Sequence, residues 1–242
     1  MTSSKLLDMA QDLLFPRRCP ICDRPVKPFG NLICDSCRQV PEPLSGEDCL
    51  RVIGEADHLF ARGTGAFLYR SIAPSLYRFK FSGREEYADW YAGEMALAMA
   101  RVLAPPRETL LVPVPIAPGR MRERGYNQSA LLARGIAQRT GLAVSETSLL
   151  RVRETPPLRR LPAAERRKKV AGAFHACGDD VKSRLIMLID DIYTTGATMD
   201  ACAAALLEAG AGEVWFTVLA MGAPNSDDQR IPRQTDDRSG GI

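Results

Sequence analysis

The clearest apolar pattern in the chain predicts a buried central strand. Residues Leu185 to Ile189 are all apolar, without the alternation of a strand that has one wet face. Two further runs predict core strands, one from Leu110 to Pro115, with prolines at the end where pairing stops, and one from Glu213 to Met221. A continuous apolar run is typical of a strand that is covered on both faces of a parallel sheet.

Segments of helical periodicity lie between these strands. They span Ile72 to Phe81, Tyr87 to Leu103, a segment that ends at about Thr140 before Gly141, and the alanine-rich run from Ala201 to Ala209. Short strands are expected from Ala66 to Tyr69 and from Leu149 to Val152. Two prolines and two glycines between residues 41 and 62 predict a loop or linker there. The order of elements predicts an α/β fold, in which helices flank a parallel sheet.

The segment after the central strand carries groups suited to a phosphorylated sugar. The first N–H groups and the dipole of a helix favour an anion, a glycine lets the backbone approach it, and threonine hydroxyls add donors. Two acids follow the strand directly, and we expect them to lie beyond it. Because they would repel a phosphate, we expect them to accept hydrogen bonds from sugar hydroxyls beside it. The alternative is an Asp-rich turn before a capped alanine helix, without a ligand. The residues concerned are Asp190, Asp191, Thr194, Thr195, Gly196, Ala197 and Thr198.

Four cysteines near the N-terminus form two C-x2-C pairs, Cys19 with Cys22 and Cys34 with Cys37. Each such pair presents two thiolates to one ion, and four protein ligands complete a closed, structural zinc site. Disulfides are the alternative, which is disfavoured in a chain without a signal peptide. The remaining cysteines are expected to be small buried side chains rather than nucleophiles, namely Cys49, Cys177 and Cys202.

Size and charge narrow the class of protein further. The chain has 242 residues and a net charge of +3, which is too small to indicate nucleic-acid binding by itself. It contains no apolar stretch of about 18 residues, so no membrane span is expected. The acids Asp8 and Asp12 make residues 1 to 15 unlike a signal peptide, and we expect a cytoplasmic protein. From Pro224 onward the polar sequence predicts a disordered tail.

The positive charges are concentrated in two stretches. Arg120, Arg122 and Arg124 crowd the loop after the first core strand, where guanidinium groups can pair with phosphate oxygens. Residues 151 to 169 hold eight basic side chains against two acids. An excursion of this length between core strands is typical of a lid or a binding loop. A solvated charged surface without a ligand is the alternative for both stretches.

The segment from Leu185 to Thr198 resembles the ligand-binding motif of the type I phosphoribosyltransferases. The resemblance implies that the ligand is phosphoribosyl pyrophosphate (PRPP), bound with Mg²⁺. It also implies that Asp190 and Asp191 contact the ribose 2- and 3-hydroxyls, that residues 194 to 198 hold the 5-phosphate, and that the three arginines face the pyrophosphate. Residues 151 to 169 then correspond to a flexible flap that could close over the ligand.

Over roughly residues 10 to 222 the chain is similar to the competence-associated ComF family. Besides the cysteine pairs and the PRPP-type turn, the similarity rests on Lys80-Phe81 before Gly83 and on residues 112 to 115, 122 to 128, 155 to 157, 164 to 167 and 172 to 174. It implies a zinc ribbon joined to a phosphoribosyltransferase-like domain, with a role in handling imported single-stranded DNA and with other competence proteins as partners. The cations that we expect to attract this DNA are Arg159, Arg160, Arg166, Arg167, Lys168 and Lys169.

Two functions are compatible with these residues. The first is a protein that binds PRPP and single-stranded DNA and supports natural transformation. The second is an active phosphoribosyltransferase, in which Asp190 and Asp191 are catalytic and ribose 5-phosphate passes to a nitrogenous acceptor. No acceptor pocket is recognisable, and the obvious aromatic residues near the basic loops that could stack on bases are Tyr126 and Phe174. His58, a lone histidine in a loop, is expected to be a surface side chain.

The sequence suggests a division into four regions. These are an N-terminal helix and zinc ribbon (1 to 45), a linker and helical accessory segment (46 to 108), a phosphoribosyltransferase-like core (109 to 222) and the tail (223 to 242).

Overall fold

A five-stranded sheet forms the centre of the computed structural model, which describes residues 16–27, 31–54, 57–154 and 170–222. Its strands are β1 (Arg62–Leu68), β2 (Leu110–Pro113), β3 (Ala143–Val144), β6 (Leu185–Tyr193) and β7 (Glu213–Met221), and β4 (Leu149–Arg151) and β5 (Phe174–Ala176) form a separate antiparallel pair. The order in space is β1-β7-β6-β2-β3, and all pairs in the sheet are parallel. The predicted α/β fold with a parallel sheet is confirmed.

Helices cover both faces of this sheet. In the described residues they are α1 (Gly46–Ile53), α2 (Tyr69–Phe81), α3 (Tyr87–Val102), α4 (Pro118–Arg124), α5 (Gln128–Thr140) and α6 (Ala197–Glu208). On one face α2, α3 and α5 pack around Met187 and Ile189 of β6, and on the other α1 and α6 pack around Ile186 and Leu188. Successive β6 residues enter opposite cores, which explains the unbroken apolar run. None of these helices is long and apolar enough to cross a bilayer.

The structure differs from the sequence prediction in the segment before β2. The predicted loop at residues 41 to 62 is wrong, because α1 lies within it. Ser45 Oγ accepts a hydrogen bond from the Asp48 N–H at 3.1 Å, and the Asp48 carboxylate accepts one from the Ser45 N–H at 3.2 Å. This reciprocal cap offsets the effect of the nearby glycines and prolines and begins a helix. The predicted short strand also begins earlier, at Arg62, because its backbone pairs with β7 from that residue onward.

The close pairing of β1 with β7 depends on the missing side chain of Gly63. A Cβ atom at this residue would lie 2.1 Å from Cε1 of Phe216, which is opposite Gly63 on β7. Phe216 is fully buried. Its ring centroid is 4.8 Å from that of Phe60 and 4.9 Å from that of Tyr193. Because these neighbours also fix the ring, it has little space into which it could move.

We therefore expect Gly63→Ala to destabilise the protein by about 1–3 kcal/mol through overpacking of β1 on Phe216. Urea unfolding followed by circular dichroism measures this change. Gly46→Ala is the matched control, because a Cβ at Gly46 has its nearest neighbour at 3.7 Å. Phe216→Leu should restore part of the stability in the Gly63→Ala background. Equal stability of the two glycine variants would contradict this account of the packing.

Candidate functional site

The two adjacent acids lie within β6 and not in the turn after it. β6 remains paired with β7 through Tyr193, and Asp190 lies opposite Val218. The expectation that both acids follow the strand is wrong, because the backbone ladder extends past the end of the apolar run. Neighbouring residues of a strand point to opposite faces of the sheet. The two carboxylates consequently approach different parts of the protein.

Asp191 forms a buried ion pair with Lys80 from the last turn of α2. Lys80 Nζ lies 2.7 Å from Asp191 Oδ2, and the two side chains are only 10% and 12% exposed. A buried charge without a partner is strongly unfavourable, so each residue stabilises the charged form of the other in this place. The pairing is not visible in the sequence, since α2 and β6 are far apart in the chain. The one available signal is a lysine beside the fully buried Phe79.

Asp190 accepts hydrogen bonds from the start of α5 and from its own strand. Ser129 Oγ and the N–H of Asp191 each donate to Asp190 Oδ1 at 2.8 Å. Burial, followed by the charge of Asp191, raises the pKa of Asp190 to about 7 in spite of these bonds. Near neutral pH this carboxyl group can therefore act as a proton donor or as an acceptor.

The leftover cysteines are placed largely as predicted. Cys49 and Cys202 are fully buried, whereas Cys177 is only partly buried. Burial raises the pKa of the Cys202 thiol, and the nearby Asp190 raises it further. Cys202 is therefore a neutral packing side chain and not a nucleophile.

His58 braces the turn formed by residues 194–198. Gly196 has φ 74°, and a Cβ atom there would lie 2.6 Å from His58 Cε1. His58 Nδ1 is 2.9 Å from Asp200 Oδ2 in the first turn of α6, and the His58 side chain is 5% exposed. The expectation of a surface histidine is wrong, because the segment that leads into β1 packs against this turn. The sequence gives no sign of the contact, since its two partners are distant in the chain.

The turn itself presents hydroxyl groups to solvent. Thr194 is exposed and Thr195 and Thr198 are partly exposed, whereas Gly196 and Ala197 are buried. α6 begins at Ala197. Gly196, at the N-cap position just before it, provides no side-chain cap. The first N–H groups of a helix have no partners within the helix. The turn thus combines accessible hydroxyls with a helix N-terminus.

The three predicted arginines lie on α4 and not in a loop. Pro118 is the first residue of this helix, a position that suits proline. β2 and β6 are parallel neighbours with Pro113 opposite Ile189, so α4 and the 194–198 turn follow the same edge of the sheet. Arg122 is exposed and Arg120 is partly exposed. Arg124 donates to Gln128 Oε1 at 3.1 Å, and its guanidinium carbon lies 4.8 Å from the centre of the Phe81 ring.

The β4–β5 pair adds a cation to this edge that the predicted site residues did not include. Burial, and next the charge of Arg120, lowers the pKa of Arg151, while the charge of Asp190 has the opposite effect. The stretch that follows Arg151 contacts α4, because the Gly119 N–H donates to Glu154 Oε1 at 3.1 Å. Arg151 is opposite Phe174 in this pair and is the first cation of the basic excursion. The predicted DNA-binding residues Arg159, Arg160, Arg166, Arg167, Lys168 and Lys169 lie outside the described residues.

The two obvious aromatic residues near the basic loops are buried. Tyr126 is 7% exposed and Phe174 is 6% exposed. The Tyr126 hydroxyl donates to the carbonyl of Phe79, and the Arg151 guanidinium carbon lies 5.2 Å from the Phe174 ring centre. Both rings contribute to the packing and present little surface to a ligand.

The four N-terminal thiols fit a single metal ion. Their Sγ atoms all lie within 4.8 Å of one another, and Cys22 Sγ is 3.7 Å from Cys34 Sγ. Tetrahedral zinc with Zn–S bonds of about 2.3 Å requires sulfur atoms about 3.8 Å apart. Burial disfavours the Cys22 thiolate, but hydrogen bonds, first among them that from Arg24 Nε at 3.3 Å, lower the pKa of Cys22 to about 6. The arrangement favours a structural zinc ion, with no position left for a substrate.

The cysteine module is fastened to α2 and to the start of α3. Ser75 Oγ donates to the Pro20 carbonyl, and Arg78 Nη2 donates to the Ile21 carbonyl at 2.5 Å. The Tyr87 hydroxyl donates to Asp23 Oδ1 at 2.5 Å. The helix that carries Lys80 thus contacts the metal module through its other residues.

Zinc should be present at one equivalent per chain, because the four thiols form a closed site. Elemental analysis of protein purified without chelators measures this. The double variant Cys22→Ser with Cys34→Ser should lose the metal and unfold at a lower temperature, whereas Cys177→Ser, outside the cluster, should retain one zinc ion. Wild-type protein that contains no zinc would refute the site.

The Lys80–Asp191 pair should show strong coupling in a double-mutant cycle of urea unfolding. Lys80→Met and Asp191→Asn should each cost about 3–5 kcal/mol, because each leaves a buried charge without its partner, and together they should cost much less than the sum. Lys182→Met is the matched control. Its partner Asp179 is also at 2.7 Å, but the two side chains are 63% and 89% exposed. That control should leave the stability close to that of the wild type, because an exposed ion pair contributes little. Additive effects at Lys80 and Asp191 would contradict the pairing.

A family model described as a double zinc ribbon domain matches residues 10–58. The matched range contains the whole cysteine cluster. Cys49 also falls in this range, but its Sγ lies 3.6 Å from Thr64 Oγ1 in the core. The described cysteines of the range therefore supply one metal cluster, and the matching domain supports its assignment to zinc.

Curated relatives resemble the chain over most of its length. The competence protein ComFC of Bacillus subtilis is 28% identical over 198 residues, which cover 79% of this chain and 72% of the relative. ComFC of Streptococcus pneumoniae is 28% identical, with 81% and 84% covered. The DNA utilization protein YhgH of Salmonella typhimurium is 30% identical over 205 residues, with 81% and 82% covered. On this similarity, and with the zinc ribbon and the α/β domain both present, the chain belongs to the ComF family, together with ComFC and YhgH.

Proposed function

We propose that this protein binds PRPP with Mg²⁺ at the carboxyl edge of the sheet and single-stranded DNA beside it, in support of DNA uptake and utilization. The observation that carries the proposal is the meeting of three kinds of group at this edge. They are the carboxylates of β6, the threonine-rich turn that opens α6 and the arginines of α4. A sugar with hydroxyls, a terminal phosphate and a pyrophosphate calls for all three.

The 194–198 turn supports a role in phosphate binding. Gly196 adopts a left-handed conformation at the N-terminus of a helix of twelve residues, where backbone N–H groups and the helix dipole favour an anion. The contact of His58 with Asp200 and its packing on Gly196 hold the turn in place. A turn that is ordered before binding loses less entropy when a ligand arrives.

The carboxylates support a ligand with hydroxyl groups and an associated cation. Asp191 is paired with Lys80, whereas Asp190 contacts neutral donors from Ser129 and the backbone. Because burial raises the pKa of Asp190 to about 7, a cation bound nearby would favour its charged form. Asp190 is thus the residue that would meet Mg²⁺ or a ribose hydroxyl, and the ion would supply positive charge beside the pyrophosphate.

The DNA part of the proposal is supported by charge and by the relatives. Proteins named for competence and for DNA utilization are similar to most of this chain. The basic excursion begins at Arg151, the last residue of β4, and the chain contacts α4 three residues later through the hydrogen bond from the Gly119 N–H to Glu154 Oε1. Arg151 would therefore lie beside the proposed PRPP site, where a cation can attract a phosphate backbone.

Phosphoribosyl transfer is the second candidate function, and one observation favours it. Burial raises the pKa of the Asp190 carboxyl group, so it holds a proton more readily than an ordinary aspartate and is suited to remove one from a nitrogenous acceptor. Asp190 would then act as the base, while α4 and the turn stabilise the departing pyrophosphate. Production of pyrophosphate from PRPP in the presence of candidate acceptors tests this function.

Asp190→Asn should weaken Mg·PRPP binding by about 10- to 150-fold, since a hydrogen bond to a charged group contributes about 1.5–3 kcal/mol. The substitution retains an oxygen that can accept from Ser129 and from the backbone, so the fold should persist. Isothermal titration calorimetry measures the affinity. Asp179→Asn, an exposed acid at 89% side-chain exposure, should leave the affinity unchanged.

Asp191→Asn is a poorer test of the same site, because it also breaks the ion pair with Lys80. A folded Asp190→Asn protein with wild-type PRPP affinity would refute the proposed role of this acid.

Calorimetry with single-stranded DNA, alone and after saturation with Mg·PRPP, tests the DNA-binding half of the proposal. Absence of DNA binding at low salt in both titrations would overturn that half.

A further inference from the structure

Two aromatic side chains on the last turns of α2 are exposed to solvent. Tyr77 is 48% exposed and Phe81 is 44% exposed, and they are the aromatic residues among the exposed large apolar side chains of the described chain. They are four residues apart, so they lie on the same face of the helix, and their ring centroids are 5.0 Å apart. The two rings thus present a small aromatic surface to solvent.

A cation completes this surface. The guanidinium carbon of Arg124, on α4, lies 4.8 Å from the Phe81 ring centre. Met121, one turn earlier on α4, is 44% exposed. We call Tyr77, Phe81 and Arg124 the aromatic platform. It joins the end of the accessory helix α2 to the helix that carries the predicted pyrophosphate-binding arginines.

The platform adjoins the proposed PRPP site. Lys80, the residue before Phe81, turns inward to pair with Asp191 on β6. The last turn of α2 is held in place, because the carbonyl of Phe79, between Tyr77 and Phe81, accepts a hydrogen bond from the buried Tyr126 hydroxyl. A rigid helix end therefore presents Phe81 outward while Lys80 reaches the site.

We infer that the aromatic platform stacks on unpaired bases of single-stranded nucleic acid, an inference that rests on the proposed DNA binding. Each base has a π face that can stack on an aromatic ring or on a guanidinium plane, whatever its sequence. On the same helix Arg122 is exposed and Arg120 is partly exposed, so both can meet phosphates next to such bases. α4 carries three arginines, Arg120, Arg122 and Arg124, and one acid, Glu123, so its net charge is +2.

The platform offers exposed rings to bases, whereas the obvious aromatic residues near the basic loops, Tyr126 and Phe174, are buried. Charge complementarity favours a polyanion as the occupant, since an exposed arginine and a second partly exposed one accompany the rings. The alternative occupant is a second copy of this chain, which would cover the rings by self-association.

The test compares binding of two fluorescent oligonucleotides of equal length by anisotropy, one of thymidines and one with abasic sites. Wild-type full-length protein should prefer the thymidine strand. Tyr77→Ala with Phe81→Ala should weaken binding of that strand by about 5- to 150-fold for each stacked base lost and should remove the preference. The slope of affinity against salt should stay the same, because no cation is removed.

Two further variants separate stacking from folding. Phe81→Trp should retain the preference, since it keeps an aromatic face. Leu97→Ala, which truncates an exposed apolar side chain on α3 at 57% exposure, should behave as wild type. Native circular dichroism and wild-type Mg·PRPP affinity would show that the double variant is folded.

The outcomes separate the inference from the proposed function. If the double variant keeps its preference for bases, or loses equal affinity for both strands, the platform is overturned while DNA binding stands. If the wild type binds neither strand at low salt, the DNA part of the proposed function fails and the inference fails with it. If light scattering shows that the wild type self-associates and the double variant does not, the rings form an interface between copies and the inference is overturned.

Discussion

The ion pair between Lys80 and Asp191 connects the accessory helix α2 to the central strand. β6 is covered by helices on both faces, so a carboxylate within it is removed from water. Such a charge is tolerated when a partner of opposite charge lies within hydrogen-bonding distance, as Lys80 does at 2.7 Å. The position of α2 on the sheet is consequently restricted by electrostatics as well as by apolar packing.

The same helix links the zinc ribbon to the candidate site. Ser75 and Arg78 hold the backbone of the first cysteine pair, while Lys80 reaches β6 from the last turn. A bound metal contributes directly to the folding of small modules of this kind. A zinc ion at the cluster would therefore help to order the surface on which α2 packs.

The candidate site combines like charges that would repel one another without a ligand. Burial, and after it the charge of Arg120, lowers the pKa of Arg151, and burial, and after it the charge of Asp191, raises the pKa of Asp190. A ligand that carries both phosphates and hydroxyls, together with a divalent cation, would relieve both repulsions. Under the proposed function, this would make the edge better suited to PRPP than to a simple anion. The turn is ordered by the contact of His58 with Asp200 and by its packing on Gly196.

The sequence by itself determined the buried central strand and the metal-binding cysteines of this protein. The unbroken run from Leu185 to Ile189 predicts a strand buried on both faces, and the spacing of four cysteines predicts one metal site, because both depend on residues that are close in the chain. The sequence predictions were wrong at α1, where a reciprocal cap begins a helix among glycines and prolines, and at the two acids, where the pairing of β6 with β7 extends past the apolar run. Tertiary structure alone decided which distant groups meet. The contacts of Lys80 with Asp191, His58 with Asp200 and Arg124 with Phe81 join elements that are packed together by the apolar cores. Periodicity specifies that such faces are buried, but it does not specify which partner lies on the other side.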